Sequence, residues 1–191
     1  KDKDFWKYIS KFDFVSLCET WLEENEWNKL KDRLPSSHKW ECVYARREKK
    51  RGRAIGGFII GVKKERAENT SLIYKKEEGV IMSTIDIGEM KTKNISVQQR
   101  ELKKLRRKIR ELLGNMEKEN IVLGGDFNTR TGELGSIEWE EEEIERRSKD
   151  KVIGNGGKEL VDWAQKKGWY ILNGTMKGDW EGEYTYIGYR R

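Results

Sequence analysis

At 191 residues the chain is long enough to bury a real core without disulfide or metal staples, and its length points to one domain spanning 1–191. Charged residues make up 39% and hydrophobic residues 35%, but apolar runs recur and there are 8 tryptophans, which excludes an intrinsically disordered chain. The net charge of +6 suits a polyanionic partner such as nucleic acid as readily as it suits a Lys/Glu-rich solvated surface, and no apolar stretch is long enough to span a bilayer.

The first element predicted is a short amphipathic helix, since "DFWKYISKF" puts Phe5, Ile9 and Phe12 at helical spacing. "DFVSLCE" then reads as a buried strand ending at Glu19. "TWLEENEWNKLKDRL" reads as a second helix, closed by Pro35, the chain's single proline. "WECVYA" alternates as a strand does, "KKRGR" is a basic turn, and "AIGGFIIGVKK" and "GVIMSTIDIG" are apolar strands. "NISV" is a strand fragment feeding the helix "QQRELKKLRRKIRELLGNM", which repeats Leu102, Leu105, Ile109 and Leu112 on one face and basic residues on the other. After the strand "IVLGGDFN" comes the charge run "EWEEEEIERRSKDK", expected as a solvated loop or short helix. The helix "GKELVDWAQKKG" stops at Gly168, and "WYILNG" and "EYTYIG" read as short strands. Strands mixed with helices, without repeats or a Pro/Ser-rich linker, indicate an α/β domain.

Cys18 and Cys42 lie in apolar, strand-like runs and are expected as reduced core residues, which places the chain inside the cell, in nucleus or cytoplasm. No secretory leader is visible. His38, the single histidine, sits in "LPSSHKW" and is expected in a surface loop. Trp21, Trp40 and Trp163 fall within apolar patterns and are expected in the core. The basic clusters Lys49 to Arg53, Lys63 to Arg66 and Lys103 to Arg110 could touch backbone phosphates, though solvated faces explain them more simply. The acidic run Glu138 to Glu145 would repel DNA and should face away from any cleft.

Two stretches carry chemistry. Glu19, in "LCETWL", is an acid at the C-terminal end of an apolar strand. In "GGDFN", Asp126 and Asn128 are two apart, so a continuous strand would aim both at one face. An aspartate there can accept a proton or orient a water, and an asparagine amide can donate to a phosphate oxygen. Acids and an amide without a Cys/His cluster suggest a hard, oxygen-liganded cation. Mg2+ needs only one or two carboxylates plus substrate phosphate, and Mn2+ is the alternative. Zn2+ does not fit one histidine and cysteines without ligand spacing.

"FVSLCETWL" together with "IVLGGDFNTRTG" resembles the endonuclease/exonuclease/phosphatase family. "DKDFWKYISKFDFVSLCETWL", "AIGGFIIGVKK", "SKDKVIGNGGKELVDWAQKKGWYILNG" and "GDWEGEYTYIG" are similar, more narrowly, to the endonuclease domain of insect-type non-LTR retrotransposons. The resemblance implies a four-layer α/β sandwich, two mostly antiparallel sheets face to face with helices outside. It implies Mg-dependent hydrolysis of a DNA phosphodiester, nicking a target strand, with a reverse transcriptase domain in the same full-length protein. Carried over by motif, Glu19 ligates the metal, Asp126 orients or activates the attacking water, and Asn128 holds the scissile phosphate. Thr185 and Tyr186 of "YTYIG" match a segment near the DNA, and Asn173 of "ILNG" lines the same cleft.

The family pattern is also broken. Its early strand with a site asparagine precedes the "KDKDFW" region, and its late Ser-x-x-Asp and Ser-Asp-His segments would follow Arg191, so the resemblance implies a fold incomplete at both termini. Its tyrosine after the strand matching "NISV", together with that tyrosine's loop, is missing, with Val97 running directly into "QQRELKK". Weak or absent turnover is therefore expected of this chain. The alternative is a non-catalytic remnant that binds nucleic acid or protein, and a small-molecule phosphoesterase is a third reading, less compatible with the basic balance.

Overall fold

The computed structural model describes residues 3–48, 51–67, 75–77, 79–87, 90–98, 101–113, 120–139 and 142–185. Its internal contacts divide the chain into two compact units, 1–127 and 128–191, each described by itself below.

The first unit is arranged around a strand that is apolar on both faces. Helix α1 (Lys3–Ile9), strand β1 (Phe14–Cys18), helix α2 (Glu24–Leu30), strand β2 (His38–Val43) and strand β3 (Phe58–Lys63) follow in order. β3 is the middle strand of an antiparallel sheet in the order β1-β3-β2. Side chains alternate across a strand, so Phe58, Ile60 and Val62 share one face and Ile59 and Gly61 the other. Both faces are covered, which is why "FIIGV" reads as a continuous apolar run rather than an alternating one. On the outer face Ile59 packs with Trp27 and Leu34, and with Trp6, Leu17, Leu22, Leu30, Trp40 and Cys42. On the inner face Phe58, Ile60 and Val62 pack with Ala67, Ile81 and Ile85.

The last two belong to the second sheet. Strands β4 (Lys75–Glu77), β5 (Val80–Ile87), β6 (Met90–Gln98) and β7 (Asn120–Asp126) lie in that order, antiparallel except for the parallel β6–β7 pair. A parallel pair needs a crossover, supplied here by helix α3 (Leu102–Leu113). Leu105, Ile109 and Leu112 are its buried stripe, and it lies against β4 and β5, on the sheet face opposite the first sheet. Each such side chain contributes roughly 1.5–3 kcal/mol when fully buried. The layers are therefore helix, sheet, sheet, helix, the expected four-layer α/β sandwich. Among the described residues no helix is long and apolar enough to cross a membrane.

Several expectations change in detail. The helix expected from Thr20 begins only at Glu24, because Glu19 and Trp21 hold left-handed backbone (φ 54° and 55°). The strand expected from Ala54 begins at Phe58, after Gly56 and Gly57, both at positive φ. β6 is longer than "NISV", and β4 was not foreseen. His38 is not in a surface loop. It opens β2, is 3% exposed, bonds the Phe12 carbonyl through Nε2 at 2.8 Å and stacks on Trp40. Trp21 is not core, being 37% exposed, whereas Trp40 and Trp163 are half-buried. Of the basic residues, Lys63 and Arg66 both pair with Asp13, and Lys108 is buried.

In the second unit, strands β8 (Ile137–Trp139) and β9 (Glu142–Ile144) pair antiparallel, so the acidic run is neither loop nor helix along that length. Helix α4 (Asn155–Lys166) gives way to Gly168 at φ 66°, the expected stop. "WYILNG" is not a strand. Its glycine, Gly174, instead accepts from the Arg147 amide at 3.1 Å, and a Cβ there would lie 1.8 Å from the Arg147 carbonyl oxygen. At the start of the segment Trp169 donates to the Ala164 carbonyl at 2.9 Å, and Leu172 accepts from the Thr175 amide at 3.2 Å.

The covered strand has one strict steric requirement. Gly61 is the cross-strand partner of Trp40, and a Cβ on it would lie 2.3 Å from the indole ring. Gly61→Ala is expected to force Trp40 from its place beside Trp6 and to cost about 1–3 kcal/mol, as overpacking does. Urea unfolding followed by tryptophan fluorescence checks this, and an unchanged midpoint would refute it.

Candidate active site

Glu19 directly follows β1, and Asp126 ends β7, so the two acids sit at strand ends in different sheets of the first unit. Gln98, the last residue of β6, links them. Its side-chain amide donates to the Glu19 carboxylate at 3.1 Å, and its Oε1 accepts from the Glu19 backbone N–H at 3.3 Å. Gln98 is also the register partner of Asp126 across the parallel pair, so both side chains leave the same sheet face side by side. Cys18 gives an independent sign of the same proximity: its thiol is pushed up first by burial and then by the charge of Asp126, with a smaller push from Glu19. Glu19 and Asp126, 107 positions apart by their numbers, thus converge around one amide. Gln98 carried no recognisable motif; its only signal in the sequence was its place at the end of an apolar strand.

The backbone here is strained. Left-handed conformations at non-glycine residues cost on the order of 1–3 kcal/mol each and persist where the surroundings impose them. Glu19 and Trp21 are two such residues. The surroundings are a Gly56–Gly57 turn whose carbonyls accept from the Trp21 and Thr20 amides at 2.9 and 3.3 Å. Gly57, at φ 92°, must be glycine, because a Cβ would lie 2.7 Å from the Thr20 hydroxyl. That hydroxyl is buried without a hydrogen-bond partner among the described residues. On the other side, a Cβ on Gly125 would lie 2.0 Å from the Val97 carbonyl oxygen, so β7 approaches β6 closely just before Asp126.

Asn128 does not share a strand with Asp126. β7 ends at Asp126, and Asn128 has φ 49°, so alternation along a strand does not govern its direction. It begins the second unit. Asn173 also lies in that unit, with its amide engaged internally. Its Oδ1 and carbonyl accept from the buried Arg146 at 3.0 and 2.7 Å, and its Nδ2 donates to Asp179 at 2.8 Å. Arg146 also donates to the carbonyls of Gly132 and Leu134 and to the Thr131 hydroxyl. Thr185 is exposed, and Tyr186 lies outside the described residues.

The donors at Glu19, Gln98 and Asp126 are all oxygens or an amide. Among the described residues no group of three or more His, Cys, Asp or Glu side chains could hold a metal.

No family model matches the chain, and no curated protein matches it. Among solved structures it is similar to truncated Caenorhabditis elegans TDP2, at 15% identity and a TM-score of 0.35, over 68% of this chain. The match spans 58% of that chain.

Two outcomes are expected from this geometry. Cys18 should alkylate slowly near pH 8.5, and Asp126→Asn should speed it by removing a charge that opposes the thiolate. Cys42 serves as internal reference, its thiol pushed up to about 12 by burial. Iodoacetamide labelling read by peptide mass spectrometry decides it; equal Cys18 rates in both proteins would separate the thiol from Asp126. In the second unit, the Asp179 carboxyl is held below its usual range by the Glu183 amide, then by Asn173 and the Gly174 amide. A depressed folded-state pKa adds stability that is present above the unfolded value of about 3.9 and lost as pH falls through the folded value. Asp179→Asn should therefore flatten the acid limb of the unfolding curve below about pH 4. An acid limb identical to wild type would contradict that assignment.

Proposed function

We propose that this chain is a divalent-metal-dependent phosphodiesterase of the non-LTR retrotransposon endonuclease kind, which nicks DNA only weakly. The observation that carries the reading is the convergence of Glu19 and Asp126 on Gln98 from the ends of strands in two sheets. The left-handed backbone at Glu19 supports it, since strain of this sort collects at sites where geometry is imposed for chemistry.

In this reading Glu19, oriented by Gln98, would hold the ion. Mg2+, when bound, supplies positive charge to the oxygens of the phosphate and of the leaving group. Asp126 orients a water and takes its proton as the water oxygen bonds to phosphorus. One ester P–O bond breaks, and the departing alkoxide takes a proton from solvent. The resemblance assigns the phosphate to Asn128 and the DNA to the segment with Thr185 and Tyr186. Gln98 is a positioning residue, holding Glu19 through both its amide nitrogen and its amide oxygen.

Supercoiled plasmid with Mg2+, and with EDTA in its place, tests the reading. Weak Mg-dependent conversion to the nicked form is expected, and Glu19→Ala and Asp126→Ala should each abolish it. Duplex binding without any Mg-dependent nicking would overturn the catalytic reading in favour of a nucleic-acid-binding remnant.

A further inference from the structure

The site has a neighbour that the reaction above does not use. The Arg53 guanidinium lies over the Trp21 indole, 3.5 Å from the ring centroid. Trp21 is two residues beyond Glu19, in the same left-handed turn, and its backbone amide is bonded to Gly56. A Cβ on Gly56 would in turn lie 3.8 Å from the Gln98 Oε1 that receives the Glu19 amide. The turn carrying Arg53 is therefore packed against the turn carrying Glu19.

Arg53 is also held from its own side. Arg46 and Ile55 exchange backbone hydrogen bonds of 2.9 Å each way across the base of the turn. Arg47 donates to the Gly52 carbonyl while its guanidinium grips Glu23 through two nitrogens. Two arginines earlier in the chain pair with carboxylates, Arg47 with Glu23 and Arg46 with Glu48. Among the described residues no carboxylate pairs with Arg53, and its guanidinium lies over the indole face. Stacking uses the face of a guanidinium and leaves its in-plane N–H donors pointing outward. An exposed, immobilised fork with free donors matches a phosphate's two oxygens.

We propose that Arg53, held over Trp21, is a substrate-binding residue that takes a backbone phosphate of the nucleic-acid strand entering beside Glu19, Gln98 and Asp126. This rests on the phosphodiesterase reading and adds to it the contact that holds the strand. The stack restricts the guanidinium before the strand arrives, so less side-chain freedom is lost on binding.

The test is binding of a fluorescein-labelled mixed-sequence DNA duplex to the full chain, read by anisotropy in CaCl2 across a series of NaCl concentrations. Arg53→Ala should weaken binding about equally for unrelated sequences and reduce the slope of log affinity against log salt by about 1, the signature of one lost phosphate contact. Arg53→Lys should keep most of the slope but bind more weakly, lacking the fork, and Trp21→Leu should weaken binding with Arg53 still present. Arg33→Ala, which removes an exposed charge on the α2 side of the same unit, should leave the slope at the wild-type value. Equal slopes for wild type and Arg53→Ala, or equal losses in Arg53→Ala and Arg33→Ala, overturn the proposal. Plasmid nicking measured in parallel separates the two readings. A wild type that nicks while Arg53→Ala binds like it sinks only the Arg53 contact. A wild type that neither binds nor nicks sinks both.

Discussion

A strand with two apolar faces must be covered twice, and the first unit is built to meet that requirement at β3. Ile60 is fully buried, with Phe58 and Val62 beside it facing the second sheet, while Ile59 faces the helices. Any arrangement that left either face in water would forfeit the burial of several large side chains, each of order 1.5–3 kcal/mol. Covering one face with α1 and α2 and the other with β5 fixes the stacking order. The stacking in turn sets β1 beside β6 and β7, and so brings the end of β1 to the ends of β6 and β7. The candidate site is a consequence of that layering rather than of any local signal between its members.

Where the layers meet, the packing ends and polar chemistry begins. The inner face of the second sheet passes from Ile81 and Ile85 to Asn94, Ser96 and Gln98 along β6. Gln98 is then available to hold Glu19 from both its backbone and its carboxylate, so it fixes position and orientation together. The glycines at 56, 57 and 125 have a common feature here. All three take positive φ, and a Cβ would lie 2.7 Å from the Thr20 hydroxyl at Gly57 and 2.0 Å from the Val97 carbonyl oxygen at Gly125.

The sequence made some of this legible. The apolar runs located β1, β3, β5 and β7, the helical spacing of Leu105, Ile109 and Leu112 located α3, and the motif residues Glu19 and Asp126 stood at strand ends as read. What escaped was what depends on three-dimensional neighbours. Gln98 has no distinctive pattern, and its role exists only because β1 ends opposite it. His38 looked like loop because polar neighbours surround it, yet the Phe12 carbonyl and the Trp40 ring pay for its burial. Trp21 looked like core because it stands in an apolar context, but the left-handed turn aims it at Arg53. "WYILNG" has strand composition, and hydrogen bonds to Arg147 and Asp179 override it. The strand reading of Asn128 failed for a related reason, since alternation holds only while the ladder continues.

The second unit is organised around a buried cation instead of a hydrocarbon layer. Arg146 is 5% exposed and donates to three backbone carbonyls, a hydroxyl and an amide oxygen, whereas the buried apolar side chains of that unit, among the described residues, are Ile137, Val161 and Ala164. Burial opposes its charge and holds the guanidinium below its usual range. Unfolding such a unit wets polar surface, which lowers heat capacity, while unfolding the sandwich wets apolar surface, which raises it. Per residue, the stability of 128–191 should curve less with temperature than that of 1–127, so cooling that weakens the hydrocarbon core of the sandwich leaves the Arg146 hub comparatively unchanged.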